Sequence, residues 1–310
     1  MTVAELVEET IPEALAGERI DRVVAMLTSC SRAEASELVA AGEVFLDGAP
    51  VTSRATKVRA GAVVSVEVPD RAAAARLVPE PEVSLPVVYE DDDLLVIDKP
   101  AGLVVHPGAG QATGTLVHGL LAAYPEVAGV GVGPTRPGIA HRLDKGTSGL
   151  LLVARHQAAY EALVAALSAR QVHRRYRTLV WGHVAAATGL IDAPIGRSAR
   201  EPTRMAVDVR GKEARTRYEV LRLYTEPVEV TELACTLETG RTHQIRVHLH
   251  SIGHAVVGDV RYDGGRQSLP MGRPFLHAEE LALAHPITGM PLRVESPLPA
   301  DLVALLDQLA

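Results

Sequence analysis

The spacing of apolar and polar residues near the start of the chain predicts two helices. The first covers a segment whose apolar residues recur at helical spacing, namely Ile20, Val23, Val24 and Leu27. The run Ser31-Arg32-Ala33-Glu34 places a capping residue three positions before a carboxylate, which is typical of the start of a second helix. Gly42 is expected to end that helix, because glycine readily adopts the left-handed conformation that follows helix ends.

Period-two patterns predict strands, which complete a small α+β domain over residues 14–70. The run Val44-Phe45-Leu46-Asp47-Gly48 is typical of a strand that enters a tight turn, and the alternation over residues 63–68 predicts a closing strand. Residues 1–13 are acidic and are expected to form a loose extension. Residues 71–86, which contain a run of alanines and three prolines, are predicted to be a linker.

Residues 87–310 are predicted to form a second, β-rich domain of the α+β class. Two apolar runs flank the acidic turn Asp91-Asp92-Asp93 and predict a hairpin. The Ala- and Leu-rich residues 157–169 have helical periodicity. Residues 176–181 are expected to form a strand, and residues 244–252 a helix.

The composition is that of a folded protein with more than one domain. The chain has 310 residues, of which 47% are hydrophobic, and this suffices for a sizeable core. No apolar run approaches the roughly 20 residues that a membrane span needs, and the first residues lack the basic and apolar regions of a signal peptide. Cys30 and Cys235 lie far apart in the sequence and offer neither a disulfide framework nor a zinc pair. These features together predict a cytoplasmic protein with reduced thiols.

Charge is unevenly distributed along the chain. The net charge is −7, but residues 136–217 contain 15 Lys and Arg against 6 Asp and Glu, a net charge of +9. A basic block in an acidic chain is typical of a localised nucleic-acid-binding surface, although ordinary solvated arginines give the same count. Acidic stretches elsewhere would repel phosphate and confine RNA to one face.

The run His141-Arg142-Leu143-Asp144-Lys145-Gly146-Thr147-Ser148-Gly149 carries the candidate chemistry. It places the Asp144 carboxylate between the cations of Arg142 and Lys145, in a turn of small residues that precedes an apolar run. Nearby positive charge favours the ionised form of a carboxylate, and an ionised Asp can act as a nucleophile or base. The alternative is an Asp that caps a turn and pairs with its neighbours.

This run and two later ones resemble, in the same order, the motifs of RNA pseudouridine synthases of the RluA type. The second run is Arg174-Arg175-Tyr176-Arg177-Thr178-Leu179-Val180-Trp181-Gly182, and the third is Glu238-Thr239-Gly240-Arg241-Thr242-His243-Gln244-Ile245-Arg246-Val247-His248. The resemblance implies the pseudouridine synthase fold, with a mixed, mainly antiparallel β-sheet in the second domain. It also implies an enzyme that isomerises uridine in RNA without cofactor or metal. Gly146 departs from the family pattern, which favours a bulkier, often acidic residue there.

The resemblance also implies roles for individual residues. Asp144 corresponds to the catalytic residue, Tyr176 to the residue that lies against the target base, and Arg246 to the partner of the catalytic Asp. Leu276 corresponds to an apolar residue that closes the pocket. Further candidates for contact with the substrate or RNA are Arg142, Lys145, Arg241, His243 and Gln244. For Arg142 two interpretations are open, a wedge into the space left by a flipped base and a brace for the Asp144 loop.

The N-terminal helices, strands and Asp-Gly turn resemble the αL motif, an RNA-binding module of a small-subunit ribosomal protein. Acidic residues outnumber basic ones by 8 to 6 between Ala14 and Asp70, so RNA contact is expected from one face only. The candidates for that face are Arg19, Arg22, Arg32, Arg54 and Lys57. A purely structural appendage is the alternative. With such a module the chain resembles the RluD-like branch of the family, which implies large-subunit (23S) rRNA as partner, free or within an assembling ribosomal subunit, and a monomer is expected.

Other functions remain as alternatives. A non-catalytic RNA-binding or ribosome-assembly factor would not need the complete motifs, and a synthase acting on tRNA would share them. A metallohydrolase could be built on the histidine group His243, His248, His250 and His254. Zinc sites usually combine such histidines with a carboxylate at a fixed spacing, and no His-Glu-x-x-His occurs, so no metal is expected. The glycine-rich residues 129–133 run into Pro134 instead of a helix, which argues against a phosphate-binding loop.

Overall fold

The computed structural model describes residues 5–28, 30, 32–68, 77–108, 110–133, 135–201 and 203–310. The chain divides into two units, Met1–Arg76 and Leu77–Ala310. Ser31 at the predicted start of the second helix, residues 71–76 of the predicted linker, and Pro134 lie outside the described residues.

The first unit contains two helices and a sheet of four strands among its described residues. The helices are α1 (Ile20–Leu27) and α2 (Arg32–Ala41), and the strands are β1 (Glu5–Thr10), β2 (Val44–Leu46), β3 (Ala49–Pro50) and β4 (Val63–Val68). The sheet has the order β1-β4-β2-β3, and each pair is antiparallel. The predicted helix pair, short strand and closing strand are therefore confirmed.

The apolar pattern of this unit explains why its elements pack together. The buried faces of α1 and α2 meet the inward side chains of β2 and β4 in one cluster, which includes Ile20, Val23, Val24, Val39, Val44, Val64 and Val66. Burying apolar side chains of this size stabilises a fold by roughly 1.5–3 kcal/mol each. This cluster gives the first unit its own core.

The prediction that residues 1–13 form a loose extension was wrong. Strand β1 pairs with β4 in a continuous register from Glu5 opposite Val68 to Thr10 opposite Val63, and Ile11 beyond it is buried. The acidic side chains of β1 obscured this pairing in the sequence. On an edge strand such side chains can face water while the backbone completes the ladder, and charged edges also discourage pairing with other chains.

The second unit is larger and β-rich. Its strands are β5 (Val87–Glu90), β6 (Leu94–Lys99), β7 (Ser148–Ala154), β8 (His173–Trp181), β9 (Thr188–Asp192), β10 (Ile195–Arg197), β11 (Met205–Val207), β12 (Arg215–Tyr224), β13 (Val230–Leu237), β14 (Leu276–Ala284) and β15 (Pro291–Glu295). Its helices are α3 (Leu116–Ala123), α4 (Gln157–Ser168), α5 (Gln244–Ser251) and α6 (Ala300–Leu306), with short 3₁₀ helices at Pro125–Val127 and Val260–Tyr262.

A mixed, mainly antiparallel sheet organises the second unit, which confirms the expectation from the family resemblance. Its order within the described residues is β5-β6-β7-β14-β8-β13-β12-β9, and β15 pairs with β14 beyond the end of the β7 pairing. The β7–β14 pair is parallel, and the neighbouring pairs are antiparallel. The predicted hairpin (β5–β6), the helix after β7 (α4), the strand β8 and the helix α5 are all present.

Both faces of the sheet centre are covered, which explains the continuous apolar runs of β6 and β7. Leu95, Ile97, Leu151 and Val153 face a core that also contains residues of α3 and α5. The alternate residues Leu94, Val96, Leu150 and Leu152 face a second core with residues of α4. Strands buried on both sides have few positions left for polar residues.

Part of the predicted linker belongs to the second unit. Leu77 and Leu85 pack against the core beneath α3. The carboxylate of Glu80 accepts a hydrogen bond from the backbone N–H of Gly114 at 2.9 Å, just before α3 begins. The proline-rich composition suggested a spacer, but residues 77–86 form a strap across the domain surface.

The sheet is most tightly constrained where β7 meets β14. Gly149 has a φ of +108°, and a Cβ atom there would lie 2.3 Å from the carbonyl oxygen of Ala278. Only glycine permits this conformation and this approach of two backbones. The close approach anchors the start of β7, immediately after the loop that carries Asp144.

Among the helices that the structure describes, none is both long enough and apolar enough to cross a membrane.

Candidate active site

The loop that carries Asp144 is held by backbone hydrogen bonds on both sides. The carbonyl of Asp144 accepts a bond from the N–H of Thr147 at 3.0 Å, which closes a turn, and the carbonyl of Lys145 accepts one from the N–H of Gly102 at 2.7 Å. Burial lowers the pKa of His141 to about 3, with a further contribution from Arg174, so its ring is neutral. The neutral Nε2 accepts a hydrogen bond from the N–H of Leu152 at 3.0 Å. The carboxylate is therefore positioned by a rigid backbone.

The partner of Asp144 is Arg246, which lies 102 positions later in the chain. Nη1 of Arg246 donates to Oδ2 of Asp144 at 2.9 Å. In the sequence Asp144 lies between the cations Arg142 and Lys145, but in the structure both of these side chains are exposed and neither pairs with Asp144 within 4.0 Å. The side chains of adjacent residues in a tight turn point outward in different directions, whereas helix α5 places Arg246 against the loop.

A second carboxylate holds the other side of the Arg246 guanidinium. Asp259 is 1% exposed, and its two oxygens accept hydrogen bonds from Nε and Nη2 of Arg246 at 2.6 Å and 2.8 Å. The planar guanidinium suits such a bidentate contact. Because two of its nitrogens are fixed on Asp259, Arg246 presents Nη1 to Asp144 in one orientation only.

The electrostatics of this group favour a permanent positive charge. Burial alone lowers the pKa of Arg246, but hydrogen bonds and charge attraction from Asp259 and Asp144 outweigh burial, so the pKa lies above its ordinary value. The guanidinium also lies over the ring of Tyr262, 5.0 Å from the ring centre. The site thus contains one fixed cation between two carboxylates, of which only Asp144 is accessible.

His243 completes the group around Asp144. It has a left-handed backbone conformation with a φ of +57° and directly precedes α5. Its Nδ1 lies 2.8 Å from the hydroxyl of Tyr262, and its Nε2 lies 3.9 Å from Oδ2 of Asp144. Burial is the main cause that lowers the pKa of His243, and it outweighs the attraction of Asp144. A neutral His243 leaves Arg246 as the cation that neutralises Asp144.

Tyr176 and Leu276 form the apolar walls beside Asp144. They lie on the adjacent strands β8 and β14 and line, together with Asp144 and Arg246, a cavity of about 50 Å³. Both side chains are nearly fully buried. Burial is the main cause that raises the pKa of Tyr176, so its hydroxyl stays protonated at neutral pH. The structure therefore brings Asp144, Tyr176, Arg246 and Leu276 together at one small pocket.

Two larger cavities flank this pocket within the described part of the second unit. One of about 520 Å³ lies beside β8, and one of about 740 Å³ lies beside the 3₁₀ helix Val260–Tyr262. Arg142 and Asp144 line all three cavities. The small pocket is thus the centre of a longer concave surface, which suits a ligand that extends in both directions.

Ion pairs neutralise much of the basic block of residues 136–217. The basic residues that have a carboxylate partner include Arg155, Arg170, Arg175, Arg177, Arg204, Arg210, Arg215 and Arg217. In the described chain, no carboxylate lies within 4.0 Å of six others, Arg136, Arg142, Lys145, Arg174, Arg200 and Lys212. The first four of these line the two large cavities. Most of the unneutralised positive charge of this block therefore lies around Asp144.

The remaining predicted RNA contacts differ in accessibility. Arg241 is exposed at the rim of the 520 Å³ cavity, where its Nε donates to the carbonyl of Glu213. Gln244 is 3% exposed, and its amide is fully used by the protein. Its nitrogen donates to the Arg215 carbonyl and the Thr216 hydroxyl, and its oxygen accepts from the Thr239 hydroxyl and the Arg241 N–H. These bonds favour a structural role for Gln244 instead of the predicted contact with RNA.

The departure at Gly146 has a packing explanation. A Cβ atom at this position would lie 2.9 Å from Cδ of Pro274. A bulkier residue would therefore push against residues 273–274, whereas glycine lets them pack on the loop. Arg273 donates to the carbonyl of Gly146 at 3.3 Å, which ties the same segment to the loop.

The histidine group does not form a metal site. His248 bonds Thr216 and the Ala193 carbonyl, His250 bonds Asp263, and His254 bonds the Trp181 carbonyl. The one cluster of potential metal ligands among the described residues is elsewhere, at Asp91, Asp93 and His285. There Asp91 accepts the N–H groups of the β5–β6 turn, and His285 Nδ1 accepts the N–H of Thr288 while Nε2 contacts Asp91. These contacts stabilise the hairpin.

Arg32 lies in the first unit, where its side chain is exposed. Arg54 and Lys57 are also exposed, whereas Arg19 and Arg22 pair with Asp21 and Glu18 at 2.8 Å. The exposed cations available for RNA in this unit are therefore fewer than the sequence indicated.

Sequence reasoning missed Asp259, Arg174, His106 and Lys99. Asp259 follows the apolar run Val256-Val257-Gly258, and a carboxylate at the end of such a run was a usable signal. His106 lines both large cavities, and its buried Nε2 has no hydrogen-bond partner in the described structure. Nothing in the local sequence distinguishes it from a surface histidine.

Lys99 is a fully buried cation behind the Asp144 loop. Its ammonium donates to the carbonyls of Pro100 and Leu103 at 2.8 Å and 2.9 Å, and so fixes the turn that holds Gly102 against Lys145. Burial lowers the pKa of Lys99 to about 7, although Asp144 raises it in part.

Comparison with known proteins places this site in a family. Residues 93–251 match the family described as RNA pseudouridylate synthase, and residues 18–64 match the S4 domain. The chain is 43% identical over 320 residues to ribosomal large subunit pseudouridine synthase D of Xanthomonas campestris pv. campestris, with 99% of this chain and 93% of that protein covered. It is 47% identical over 310 residues to an uncharacterized RNA pseudouridine synthase of Chloroflexus aurantiacus, with 96% and 92% covered. The solved structure of human RNA pseudouridylate synthase domain containing 1 has a TM-score of 0.58 at 30% identity and covers 74% of this chain and 89% of its own.

The low pKa of Lys99 predicts a characteristic pH dependence of stability. Between pH 7 and 10.5 the unfolded chain holds the Lys99 proton and the folded chain does not, so folding stability rises with pH in this window. Urea unfolding of Lys99→Met and the wild type should show that the stability of the wild type, relative to the variant, increases from pH 7 to pH 10 by at most about 1.4 kcal/mol per pH unit. Lys145→Met, at an exposed position in the same region, should follow the wild type. Parallel profiles for Lys99→Met and the wild type would contradict the assignment.

Proposed function

The chain belongs to the RNA pseudouridylate synthase family and is an enzyme that isomerises uridine in RNA, and from this premise we propose that it modifies specific uridines of large-subunit ribosomal RNA with Asp144 as its catalytic residue. The observation that carries the role of Asp144 is its place at one pocket with Arg246, Tyr176 and Leu276. The substrate proposal is supported by relatives named as large-subunit enzymes, which the chain matches over nearly its full length.

The reaction breaks the bond between uracil and ribose, turns the base and rejoins it through ring carbon 5. Atoms and electrons balance within the nucleoside: the bond to ring nitrogen 1 is replaced by a bond to carbon 5, and the proton of carbon 5 leaves while nitrogen 1 gains one. The chemistry is redox-neutral and needs no energy-rich nucleotide. What it requires from the protein is a negative charge at the reacting centre and a cavity that holds the base while it turns.

Asp144 supplies that negative charge. Its Oδ2 is fixed by Arg246, and no hydrogen bond from another described residue reaches its Oδ1. One oxygen is thus held in place and the other is available to the nucleoside. Arg246 holds the carboxylate through a charge-assisted bond, and Asp259 fixes Arg246 from its other side.

Tyr176 and Leu276 hold the base. A flat aromatic ring on one wall and an aliphatic side chain on the other suit a planar pyrimidine. Because the Tyr176 hydroxyl is protonated at neutral pH, the side chain forms an uncharged wall of the pocket and its hydroxyl is a hydrogen-bond donor. A base in a helical stem reaches this pocket only after it leaves its stack. Arg142 is exposed beside Asp144 and lines all three cavities, so it is placed to fill the space that the base vacates.

A non-catalytic RNA-binding factor is the less favoured alternative. A protein that only binds RNA has no need for a buried Arg246 clamped by two carboxylates, since unpaired basic residues at the surface would suffice. The S4 domain over residues 18–64 supports RNA binding by the first unit and is compatible with rRNA and tRNA alike. An enzyme that acts on ribosomal RNA works in the cytoplasm in bacteria such as those of the named relatives.

Asp144→Asn is expected to abolish catalysis and to preserve binding. The amide keeps the shape of the side chain but lacks the negative charge, so release of tritium from RNA labelled at uridine carbon 5 should fall at least about 1,000-fold. RNA affinity should stay within a few-fold of the wild type. The substrates are short stem-loops of large-subunit rRNA, with tRNA as comparison.

Two results would contradict this part of the proposal. Substantial tritium release by Asp144→Asn would remove Asp144 from the chemistry. Faster turnover of tRNA than of every rRNA stem-loop would overturn the substrate, while leaving the catalytic role of Asp144 intact.

Asp259→Asn is expected to lower kcat roughly 10- to 100-fold with little change in KM, because Arg246 loses the charged partner that fixes its orientation toward Asp144. The matched control is Asp263→Asn, an exposed carboxylate four positions later that pairs with His250. Single-turnover rates at saturating RNA, with thermal unfolding of both variants, separate loss of positioning from loss of folding. Equal kcat in the two folded variants would mean that Arg246 is positioned without Asp259.

The exposed cations of the first unit are expected to strengthen RNA binding. Removing three of them in the variant Arg32→Ala/Arg54→Ala/Lys57→Ala should weaken affinity for an rRNA fragment about 10-fold or more. It should also reduce the slope of log Kd against log salt concentration by about 2 to 3.

The control for this test removes the same charge from ion-paired positions, as Arg19→Ala/Arg22→Ala/Arg59→Ala. Both variants should retain the wild-type kcat on a saturating short stem-loop. If the two triple variants weaken binding equally, the first unit acts only through its net charge and makes no specific contact.

A further inference from the structure

Arg174 is a buried cation that has no counter-ion among the described residues. It lies on β8 and is 5% exposed. Its Nε has no hydrogen-bond partner in the described structure, and its recorded bond is a long one, from Nη2 to the carbonyl of Leu237 at 3.5 Å. No carboxylate of a described residue lies within 4.0 Å.

The neighbouring arginines of β8 show how unusual this is within the molecule. Arg175 and Arg177 point to the other face of the sheet, are more exposed than Arg174, and share the carboxylate of Glu279. Arg177 also pairs with Glu232 at 2.7 Å. Taking a cation out of water without a partner is costly, and buried charges in proteins are therefore paired. Against that cost Arg174 has only the long hydrogen bond to Leu237, and burial lowers its pKa.

The surroundings of Arg174 make room for a ligand. Its side chain lines the cavity of about 520 Å³, which also contains Asp144 and Tyr176. Gly240 lies next to the guanidinium of Arg174, since a Cβ atom at position 240 would be 2.9 Å from Nη1 of Arg174. A larger residue at position 240 would displace the guanidinium, whereas glycine lets the guanidinium nitrogens line the cavity.

The position of Arg174 relative to the base pocket is set by the strand. Arg174 and Tyr176 are two residues apart on β8 and therefore lie on the same face, about 7 Å apart along the strand. When a base lies against Tyr176, the neighbouring part of the same RNA strand therefore lies beside Arg174. The rim of the cavity adds the exposed cations Arg136, Arg142 and Arg241.

From this geometry we propose that Arg174 binds an RNA phosphodiester that flanks the target uridine, and that this phosphate is the counter-ion that the fold leaves out. The inference rests on the proposed function, because it takes the base pocket at Asp144 and Tyr176 as given. The planar guanidinium donates two parallel hydrogen bonds to the two non-bridging oxygens of such a phosphate. This contact fixes the position of the RNA strand relative to the pocket, so that the target uridine lies next to Asp144.

Neutralising single phosphates tests this contact directly. Stem-loop RNAs carry one methylphosphonate, which is uncharged, at each position flanking the target uridine in turn. For the wild type, one of these positions should lower kcat/KM roughly 10- to 100-fold. For Arg174→Met the unmodified RNA should already show that loss, and the methylphosphonate at the same position should have little further effect. Arg174→Lys, which keeps the charge but not the fork, should recover part of the activity.

Arg175→Met is the matched control, since it removes the same charge from the same strand on the opposite face. It should remain as sensitive to the methylphosphonate as the wild type. Thermal unfolding adds a readout that separates binding from structure: Arg174→Met should raise the melting temperature by about 2–4 °C without RNA, because an unpaired buried charge is removed. A lower melting temperature for Arg174→Met would mean that Arg174 stabilises the fold, and would overturn the proposal.

Inorganic phosphate distinguishes the two sources of this ligand. With ionic strength held constant by chloride, inorganic phosphate should inhibit the wild type competitively with respect to RNA. Non-competitive inhibition that is lost in Arg174→Met would indicate a separate site for free phosphate and would overturn the proposal. A methylphosphonate effect of equal size in the wild type and Arg174→Met would also overturn the proposal. Failure of the proposed function is recognised separately, since wild-type enzyme would then form no pseudouridine in the unmodified RNA.

Discussion

The contact on which the site depends is the chain of charges from Asp259 through Arg246 to Asp144. Asp259 is buried and occupies two nitrogens of the Arg246 guanidinium, which leaves the third directed at Asp144. A lone Arg246 in this place would be a buried cation, and a lone Asp144 would be free to rotate. Two carboxylates on one guanidinium resolve both problems. The arrangement holds one oxygen of Asp144 and leaves the other open, which suits the catalytic role that we propose for it.

The sheet places the other parts of the site around this chain of charges. Strand β8 contributes Tyr176 and Arg174 on one face, and β14 contributes Leu276 beside it. The β7–β14 contact at Gly149 fixes the end of the Asp144 loop, and the turn held by Lys99 fixes its other side. These supports are a close approach of two strand backbones and hydrogen bonds from a fully buried ammonium, so exposed side chains do not determine the shape of the pocket.

Outside the pocket, ion pairs determine where positive charge remains unneutralised. The block of residues 136–217 carries many arginines, but carboxylates from the sheet neutralise much of that charge. Four cations of this block that lack a carboxylate partner in the described structure, Arg136, Arg142, Lys145 and Arg174, line the cavities beside Asp144. An acidic protein of net charge −7 can thus attract phosphate at one place and repel it at others. This distribution unites the family membership, the proposed rRNA substrate and the proposed phosphate contact of Arg174.

Local sequence determined the elements and the chemistry of the motifs. Apolar spacing was sufficient for α1, α4 and the β5–β6 hairpin, because helices and hairpins are stabilised by contacts between residues near in sequence. It failed at β1, whose partner β4 lies more than fifty residues away, and at residues 77–86, where composition suggested a spacer. The family resemblance predicted that Asp144 pairs with Arg246. Only the tertiary structure decided that Arg142 and Lys145 do not pair with Asp144, that the fold uses the hydrogen-bonding groups of the Gln244 amide, and that Arg174 has no carboxylate partner among the described residues. Electrostatic energies depend on distance and burial, and the order of residues along a chain specifies neither for groups that only folding brings together.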